Sequence, residues 1–447
     1  MLYKNDVIFA LSTVMGKSAV AVIRISGKDS FKVFSILGYY KDIKPRYATY
    51  SKIYNNKNII DEVLLFWYPT PYSFTGENMV EIQTHGSMAV IKQLYETLSD
   101  NFRVAEAGEF SRRAFLNGKI DLTQAEGIID LIESETKSQA QQALNQMSGD
   151  LKNLYEKWRN DIINIMMNIE AHIDFSEEEF SYSDFLQNIN LSINQLINEI
   201  QFHLSSSKNE RIRSGYEIII LGEPNAGKSS LFNYLAKSDL AIVSNIAGTT
   251  RDILECKIDI NGYLVSIFDT AGLHKSSNII EECGIEKALQ KAKNVDLKII
   301  IFPIKDNKLS ISKDIINLID DKSICLANKA DSLELLEKKW HIDTDIELLP
   351  ISINNKNINN LLDHLYDRLT NTEPSLSFVP NLRYRQALQY ALSHLEYFQK
   401  LKNCNDIAQH AEELRLAANH ISCITGKGMI SIEEILSKIF SNFCIGK

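Results

Sequence analysis

Eight residues, Gly222-Glu-Pro-Asn-Ala-Gly-Lys228-Ser229, constrain this chain more than any other stretch. They have the spacing of a phosphate-binding loop, and their flanks agree with it. Tyr216-Glu-Ile-Ile-Ile-Leu221 predicts a buried strand before them, and Ser230-Leu-Phe-Asn-Tyr-Leu-Ala predicts a helix after them. In such a turn the backbone N–H groups from Asn225 through Ser230 and the helix N-terminus cradle phosphates. Lys228 then reaches the terminal phosphate pair, and the Ser229 hydroxyl is a Mg²⁺ ligand. The loop alone leaves ATP and GTP open.

The base is chosen further along, at Asn328-Lys329-Ala330-Asp331, which follows the strand-like run Ile324-Cys-Leu-Ala. Asp331 can accept from two donors on the guanine edge, Asn328 bonds the base and the loop, and the Lys329 stem lies on the ring face. Adenine would leave that carboxylate desolvated and unpaired, at a cost of ~1–3 kcal/mol or more. By itself this tetrapeptide is a common surface sequence. Placed after the phosphate loop, with Asp269-Thr270-Ala271-Gly272 between them, it selects GTP.

Length and composition set the frame. A chain of 447 residues with 45% apolar content has room for two to four globular domains. Its longest apolar runs, such as Leu297-Lys-Ile-Ile-Ile-Phe-Pro, fall short of the ~18 residues that span a bilayer. The N-terminus has no signal-peptide core, so a cytoplasmic protein is expected. Six cysteines without CxxC spacing predict reduced thiols. The net charge of −9 provides no global field for nucleic acid, so any RNA contact needs a local patch or a partner.

Along the chain, residues 1–118 alternate short β-rich runs (Val20–Ile25, Glu62–Trp67, Met79–Gln83) with helical stretches such as Ser87–Leu98, and read as an α+β domain. From Leu122 the pattern turns helical, with Leu151, Leu154, Trp158, Ile162, Ile165, Ile169 and Ile173 forming one stripe. Residues 214–371 carry the nucleotide motifs, including a hairpin turning at Asn261-Gly262. The chain is helical again over 372–447. The expected fold is multidomain α/β plus α, in which a helical domain begun in 119–213 is completed after an inserted P-loop G domain.

The segment Ala241–Asp252 reads as a switch. Thr250 is placed to complete Mg²⁺ coordination and sense the γ-phosphate, and Ser244, Asn245, Ile246, Ala247, Gly248 and Thr249 form the loop before it. Leu273 stands where a water-orienting glutamine follows the third motif in Ras-type enzymes, so hydrolysis needs another group. Asn225, with carbonyls of the 244–249 loop, could hold a monovalent cation beside the phosphates, or be structural. Glu281 and Glu282 are rival candidates to orient water, or plain surface acids.

Several longer motifs resemble one family. Ser73-Phe-Thr-Gly-Glu-Asn, Glu81-Ile-Gln-Thr-His-Gly86, the stretch Gly108 to Leu122, the nucleotide motifs and the tail Phe443-Cys-Ile-Gly-Lys447 are similar to the bacterial tRNA-modification GTPases called MnmE or TrmE. That resemblance implies an N-terminal tetrahydrofolate-binding domain that forms a homodimer, a discontinuous helical domain, and an inserted Ras-like G domain. It implies potassium-activated GTP hydrolysis, with K⁺ at Asn225, Ser244, Ile246 and Thr249, Mg²⁺ at Ser229 and Thr250, and Glu281 as the catalytic, water-orienting carboxylate. The implied partner is the flavoprotein MnmG (GidA) in a heterotetramer. Together they would add a carboxymethylaminomethyl-type group to C5 of the wobble uridine in tRNA.

The methylene for that group would come from 5-formyl- or methylene-tetrahydrofolate, with Arg24, Glu81, Lys119 and Lys447 as folate contacts and Cys444 as a candidate nucleophile. Read without the family, Arg24 inside a strand is a structural ion-pair residue, and Cys444 is as readily an inert thiol. Three positions depart from the family pattern: Val14-Met-Gly-Lys-Ser-Ala19 replaces a Pro- and Gly-rich loop, Ile353 replaces an alanine, and His274 replaces an arginine. Two other function classes fit the G motifs, a ribosome-assembly GTPase switch and a stand-alone folate-dependent transferase. No appended RNA-binding module supports the first, and no redox-cofactor motif supports the second.

Overall fold

The computed structural model describes residues 6–174, 182–205, 212–242, 254–269, 291–311, 313–342, 346–370, 381–401, 407–428, 439–441, 443 and 446. They divide into two compact units. One comprises Met1–Ile129, Asn145–Ile197 and Gln386–Lys447; the other comprises Asp130–Leu144 and Asn198–Arg385.

In the first unit, six strands form a sheet: β1 (Ile8–Leu11), β2 (Ser18–Ser26), β3 (Thr49–Asn55), β4 (Asn58–Tyr68), β5 (Met79–Gly86) and β6 (Arg103–Val104). Their order is β3-β4-β5-β2-β1-β6, antiparallel except for the β1–β6 pair. Alternation decides which face is covered. Ile23, Ile25, Val63, Leu65, Val80 and Ile82 point to one side and pack against Ile91, Leu94 and Leu98 of the helix Met88–Ser99. On the opposite face lie Arg24 and Glu81, with Ile8 and Ala10 covered by Phe110 of the helix Glu109–Leu116.

Two long helices of this unit, Asp150–Asp174 and Ile407–Thr425, pack along each other although far apart in sequence. Trp158, Ile162, Ile165 and Ile169 are buried as the stripe predicts. At its N-terminal end the stripe runs through the fully buried Tyr155, while Leu154 is only half-buried. A four-residue step from Leu151 to Tyr155 keeps the buried face in line with Trp158, whereas Leu154 falls beside it. The chain's end returns to the N-terminal domain: Phe440 and Phe443 pack with Leu122 and Ala125, and the Ser12 hydroxyl donates to the Gly446 carbonyl at 2.9 Å.

The second unit is built on a larger sheet. Its strands are β7 (Tyr216–Gly222), β8 (Leu254–Ile260), β9 (Tyr263–Asp269), β10 (Leu297–Lys305), β11 (Lys308–Leu309), β12 (Ser323–Asn328), β13 (Trp340–Ile342) and β14 (Ile346–Ile351). The order is β13-β14-β12-β10-β7-β9-β8, with β11 paired to β10; β7, β9, β10, β12 and β14 run parallel. Both faces are covered, which is why these strands read as continuous apolar runs. Ile218, Ile220, Ile299 and Ile301 meet Leu231, Leu235, Leu361 and Leu365 on one side. Ile219, Leu221, Ile300 and Phe302 meet Trp340 and Leu348 on the other. The β8–β9 hairpin turns on Asn261 and Gly262, both at positive φ, between the paired Ile260 and Tyr263.

Within this unit two ion pairs reach the 130–144 segment, one from β8 and one from the residues just before β7. Lys257 pairs with Glu135 at 2.8 Å, and Arg213 pairs with Asp130 at 2.8 Å. Among the described residues no helix is long and apolar enough to cross a membrane.

Candidate nucleotide site

The central strand β7 ends at Gly222, and the chain turns through Glu223–Gly227 into the helix Lys228–Ala236. Asn225 at φ +63 and Gly227 at φ +108 make that turn. Lys228 is buried within it, and its ammonium donates to the carbonyls of Gly222 and Glu223, each at 2.9 Å. Burial lowers its pKa, and the nearby Asp269 charge opposes that shift. Such an ammonium is held inside the loop, ready to exchange carbonyl oxygens for phosphate oxygens.

Asp269 is buried at the end of β9, with its backbone in register with Ile220 of β7. Ser229 and Ser230 line a cavity of about 540 Å³ together with Asn225, Lys228, Asn328 and Lys329. The two sequence-distant motifs therefore wall one cavity. Asn328 closes the join: it is buried at the end of β12, and its Nδ2 donates to the Ala226 carbonyl at 2.8 Å. Its Oδ1 is buried with no hydrogen-bond partner among the described residues. A buried acceptor of that kind costs about 1–3 kcal/mol unless a ligand satisfies it, which suits a donor-bearing base.

Asp331 is exposed. It is aimed by residues that sequence reasoning did not single out. The fully buried Ser352 donates its hydroxyl to Asp331 Oδ1 at 2.5 Å, and Asn355 Nδ2 donates to the Asp331 carbonyl at 3.0 Å. The one signal of Ser352 in the sequence is that it stands next to Ile353, a position that departs from the family pattern. Ile353 is buried, and its Cδ1 lies about where the phosphate loop passes, 3.4 Å from the Cβ position of Gly227. The bulkier side chain is thus accommodated as part of the cavity wall.

Of the residues implicated in the N-terminal domain, three are described. Arg24 and Glu81 face each other on β2 and β5, with Nε to Oε1 at 2.9 Å and the guanidinium 5.5 Å from the Phe74 ring. The ion-pair reading of Arg24 is realised in the fold. Lys119 borders the same 71–76 loop, donating to the Pro71 carbonyl at 3.1 Å. Gly446 is docked at β1, one residue from Lys447. Ser244, Asn245, Ile246, Ala247, Gly248, Thr249, Thr250, Thr270, Ala271, Gly272, Leu273, His274, Glu281, Glu282, Cys444 and Lys447 lie outside the described residues. Cys256 and Cys325 are free thiols that burial pushes up to about 11, which leaves them unreactive at neutral pH. Among the described residues no group of His, Cys, Asp and Glu has metal-site geometry.

With this geometry in place, comparison with known proteins is consistent along the whole chain. Residues 7–119 match the model of the GTP-binding protein TrmE N-terminus, and residues 122–444 match that of the MnmE helical domain. The tRNA modification GTPase MnmE of Wolbachia sp. subsp. Drosophila simulans is 45% identical over 454 residues, covering 100% of both chains. That of Ehrlichia canis is 46% identical, covering 98% of this chain and 99% of its own. That of Rickettsia rickettsii is 44% identical, covering 99% and 100%. The 222–229 loop and the Asn328–Lys329 segment walling one cavity, and full-length likeness of this degree, place the chain in the MnmE family of tRNA modification GTPases.

Proposed function

We propose that this protein hydrolyses GTP to drive a tRNA modification, the addition of a carboxymethylaminomethyl-type group to C5 of the wobble uridine together with an MnmG-type flavoprotein. The observation that carries the reading is the bond from Asn328 to the phosphate loop at Ala226, which would join base recognition and phosphate binding in one site. Lys228 would neutralise the β- and γ-phosphate oxygens, Ser229 would hold Mg²⁺ with Thr250, and Asp331 would read guanine.

A second cation fits the missing glutamine at Leu273. K⁺ held by Asn225, Ser244, Ile246 and Thr249 would supply positive charge where it develops in the transition state, and Glu281 would orient the water. Asn225 supports this to the extent that its left-handed backbone brings it to the cavity wall. Bound K⁺ would serve electrostatic stabilisation alone.

In the N-terminal domain we assign the folate one-carbon donor to the face bearing Arg24, Glu81 and Lys119, with Lys447 as a further contact, Cys444 as the candidate nucleophile and a homodimer as the working form. The Arg24–Glu81 pair supports it chemically. A carboxylate already held by a guanidinium is oriented to accept paired donors from an aminopyrimidone ring. The deciding experiment is nucleoside mass spectrometry of tRNA from cells lacking this gene. The modified wobble uridine should disappear and return on complementation; unchanged tRNA would remove the proposal.

A further inference from the structure

The chain is acidic overall, at −9, but its charge is not evenly spread. From Lys28 to Lys57, seven Lys and Arg stand against two Asp, a local charge of +5, and the same stretch holds five of the 18 tyrosines. The fold gathers it at one edge of the N-terminal sheet, where β3 is the outermost strand.

The loop leading into β3 is firmly built. Arg46, a non-glycine residue at φ +58, donates its backbone N–H to the Trp67 carbonyl at 2.8 Å. Its guanidinium donates to the Tyr72 carbonyl at 2.8 Å and lies 5.3 Å over the Tyr72 ring. Lys44 lies 5.4 Å over the Tyr47 ring, and Phe31 meets Trp67 edge-on at 6.3 Å. The rings nonetheless stay open to solvent: Tyr40 is 83% exposed, Tyr47 60% and Tyr72 65%. Lys32 and Lys52 are paired with Asp29 and Glu62, whereas Lys28, Lys41, Lys44, Arg46 and Lys57 have no carboxylate partner among the described residues.

Unpaired cations alternating with exposed, pre-positioned aromatic faces match the chemistry of an unpaired polynucleotide. Its phosphates need point charges and its splayed bases need stacking planes. We propose that this edge is the chain's own docking surface for an unpaired stretch of RNA, with phosphates on Lys41, Lys44 and Arg46 and bases on Tyr40, Tyr47 and Tyr72. The proposal rests on the tRNA reading above and deepens it: the acidic protein contacts its substrate through one basic island rather than through its partner alone.

The test uses the full-length protein without other proteins, a labelled tRNA transcript, and two variants, Lys41→Ala/Lys44→Ala and Tyr40→Ala/Tyr47→Ala. All four side chains are exposed, and a wild-type circular dichroism spectrum and melting curve confirm that each variant is folded. Each pair should weaken tRNA binding about tenfold or more. The lysine pair should also flatten the salt dependence by about 0.7 per lost phosphate contact, while the tyrosine pair leaves that slope in place. Wild-type affinity in both variants overturns the proposal. So does wild-type affinity combined with loss of the modified nucleoside in cells, which would assign the edge to a protein partner. If instead the deletion strain keeps its modified uridine, the functional reading fails, and the binding data still decide whether RNA docks here.

Discussion

Asn328 Nδ2 donates to the Ala226 carbonyl at 2.8 Å, so the residue proposed to meet the base also braces the loop proposed to meet the phosphates. Gly227 is what lets them approach. It sits at φ +108, and a Cβ there would fall 2.2 Å from Asn328 Nδ2. Gly227→Ala therefore strains the backbone and pushes the two motifs apart. We expect GTP affinity to fall at least tenfold, about 1.4 kcal/mol, in a fluorescent-nucleotide titration. An alanine variant that binds GTP normally would show that the two segments act independently.

Ser352 sets the aim of Asp331. Removing the hydroxyl frees a carboxylate that is otherwise fixed, and hydrogen bonds to charged groups contribute about 1.5–3 kcal/mol. Ser352→Ala should weaken GTP binding by about tenfold or more. Inosine triphosphate lacks the 2-amino group that Asp331 would read, so its binding should change less, and the GTP-to-ITP preference should narrow. A preference that does not move would place guanine recognition elsewhere.

The nucleotide site was largely legible in the sequence because its parts are short, rigidly spaced segments attached to apolar strands. Lys228 and Asn328 line one cavity, and the strand and helix expected on either side of the loop are both formed. The support from Ser352 was not legible, since a serine that orients a carboxylate looks like any serine until β12 and β14 are paired. β3 was also missed: its exposed Tyr50 and Lys52 hide the alternation that reveals a half-buried strand. The return of the C-terminal tail to β1 depends on packing between segments over 400 residues apart, which no local pattern encodes.

The proposed cation makes a simple kinetic demand. If K⁺ stabilises the transition state, GTP turnover in KCl should exceed that in NaCl by tenfold or more, because a misfitting ion loses much of a preorganised charge interaction. Asn225→Ala should abolish the difference while retaining GTP binding. Glu281→Ala should lower turnover in both salts. Equal rates in the two salts would leave Asn225 as a structural turn residue.

Acid stability follows from the ion network beneath the N-terminal domain. Arg103 and Arg113 both reach Glu109 Oε1, at 2.6 Å and 2.9 Å, and Arg113 also meets Asp6 at 2.7 Å. Burial alone would raise the Glu109 pKa, but the two guanidiniums together hold it below the ordinary 4.5. A folded-state pKa lowered in this way gives stability that is fully present above about 4.5 and lost as pH falls through the depressed value. The melting temperature of the first unit should hold from pH 7 to about 5 and then drop. Glu109→Gln should cost about 3 kcal/mol at neutral pH, by leaving Arg113 under-compensated, and should soften the acid drop. Identical acid slopes in wild type and variant would rule Glu109 out as the group responsible.

The tail offers the sharpest separation between the two activities. Phe440 and Phe443 are buried, and the Ser12 hydroxyl holds the Gly446 carbonyl at 2.9 Å. Gly446 is at φ +98, and a Cβ there would lie 2.2 Å from the Leu11 carbonyl oxygen, a contact that only a shift of backbone can relieve. Leu11 itself is fixed, because its N–H donates to the Tyr95 hydroxyl at 2.8 Å. Gly446→Val should therefore displace the last residues from the N-terminal domain, while the nucleotide cavity, which belongs to the other unit, keeps its GTP turnover. Ser12→Ala removes one hydrogen bond, about 1 kcal/mol, and should give a partial version of the same effect. Complementation of a deletion strain reads the outcome. The modified uridine should be lost with Gly446→Val and reduced with Ser12→Ala, with hydrolysis of the purified proteins unchanged. Full complementation by Gly446→Val would mean that the docked tail takes no part in the modification.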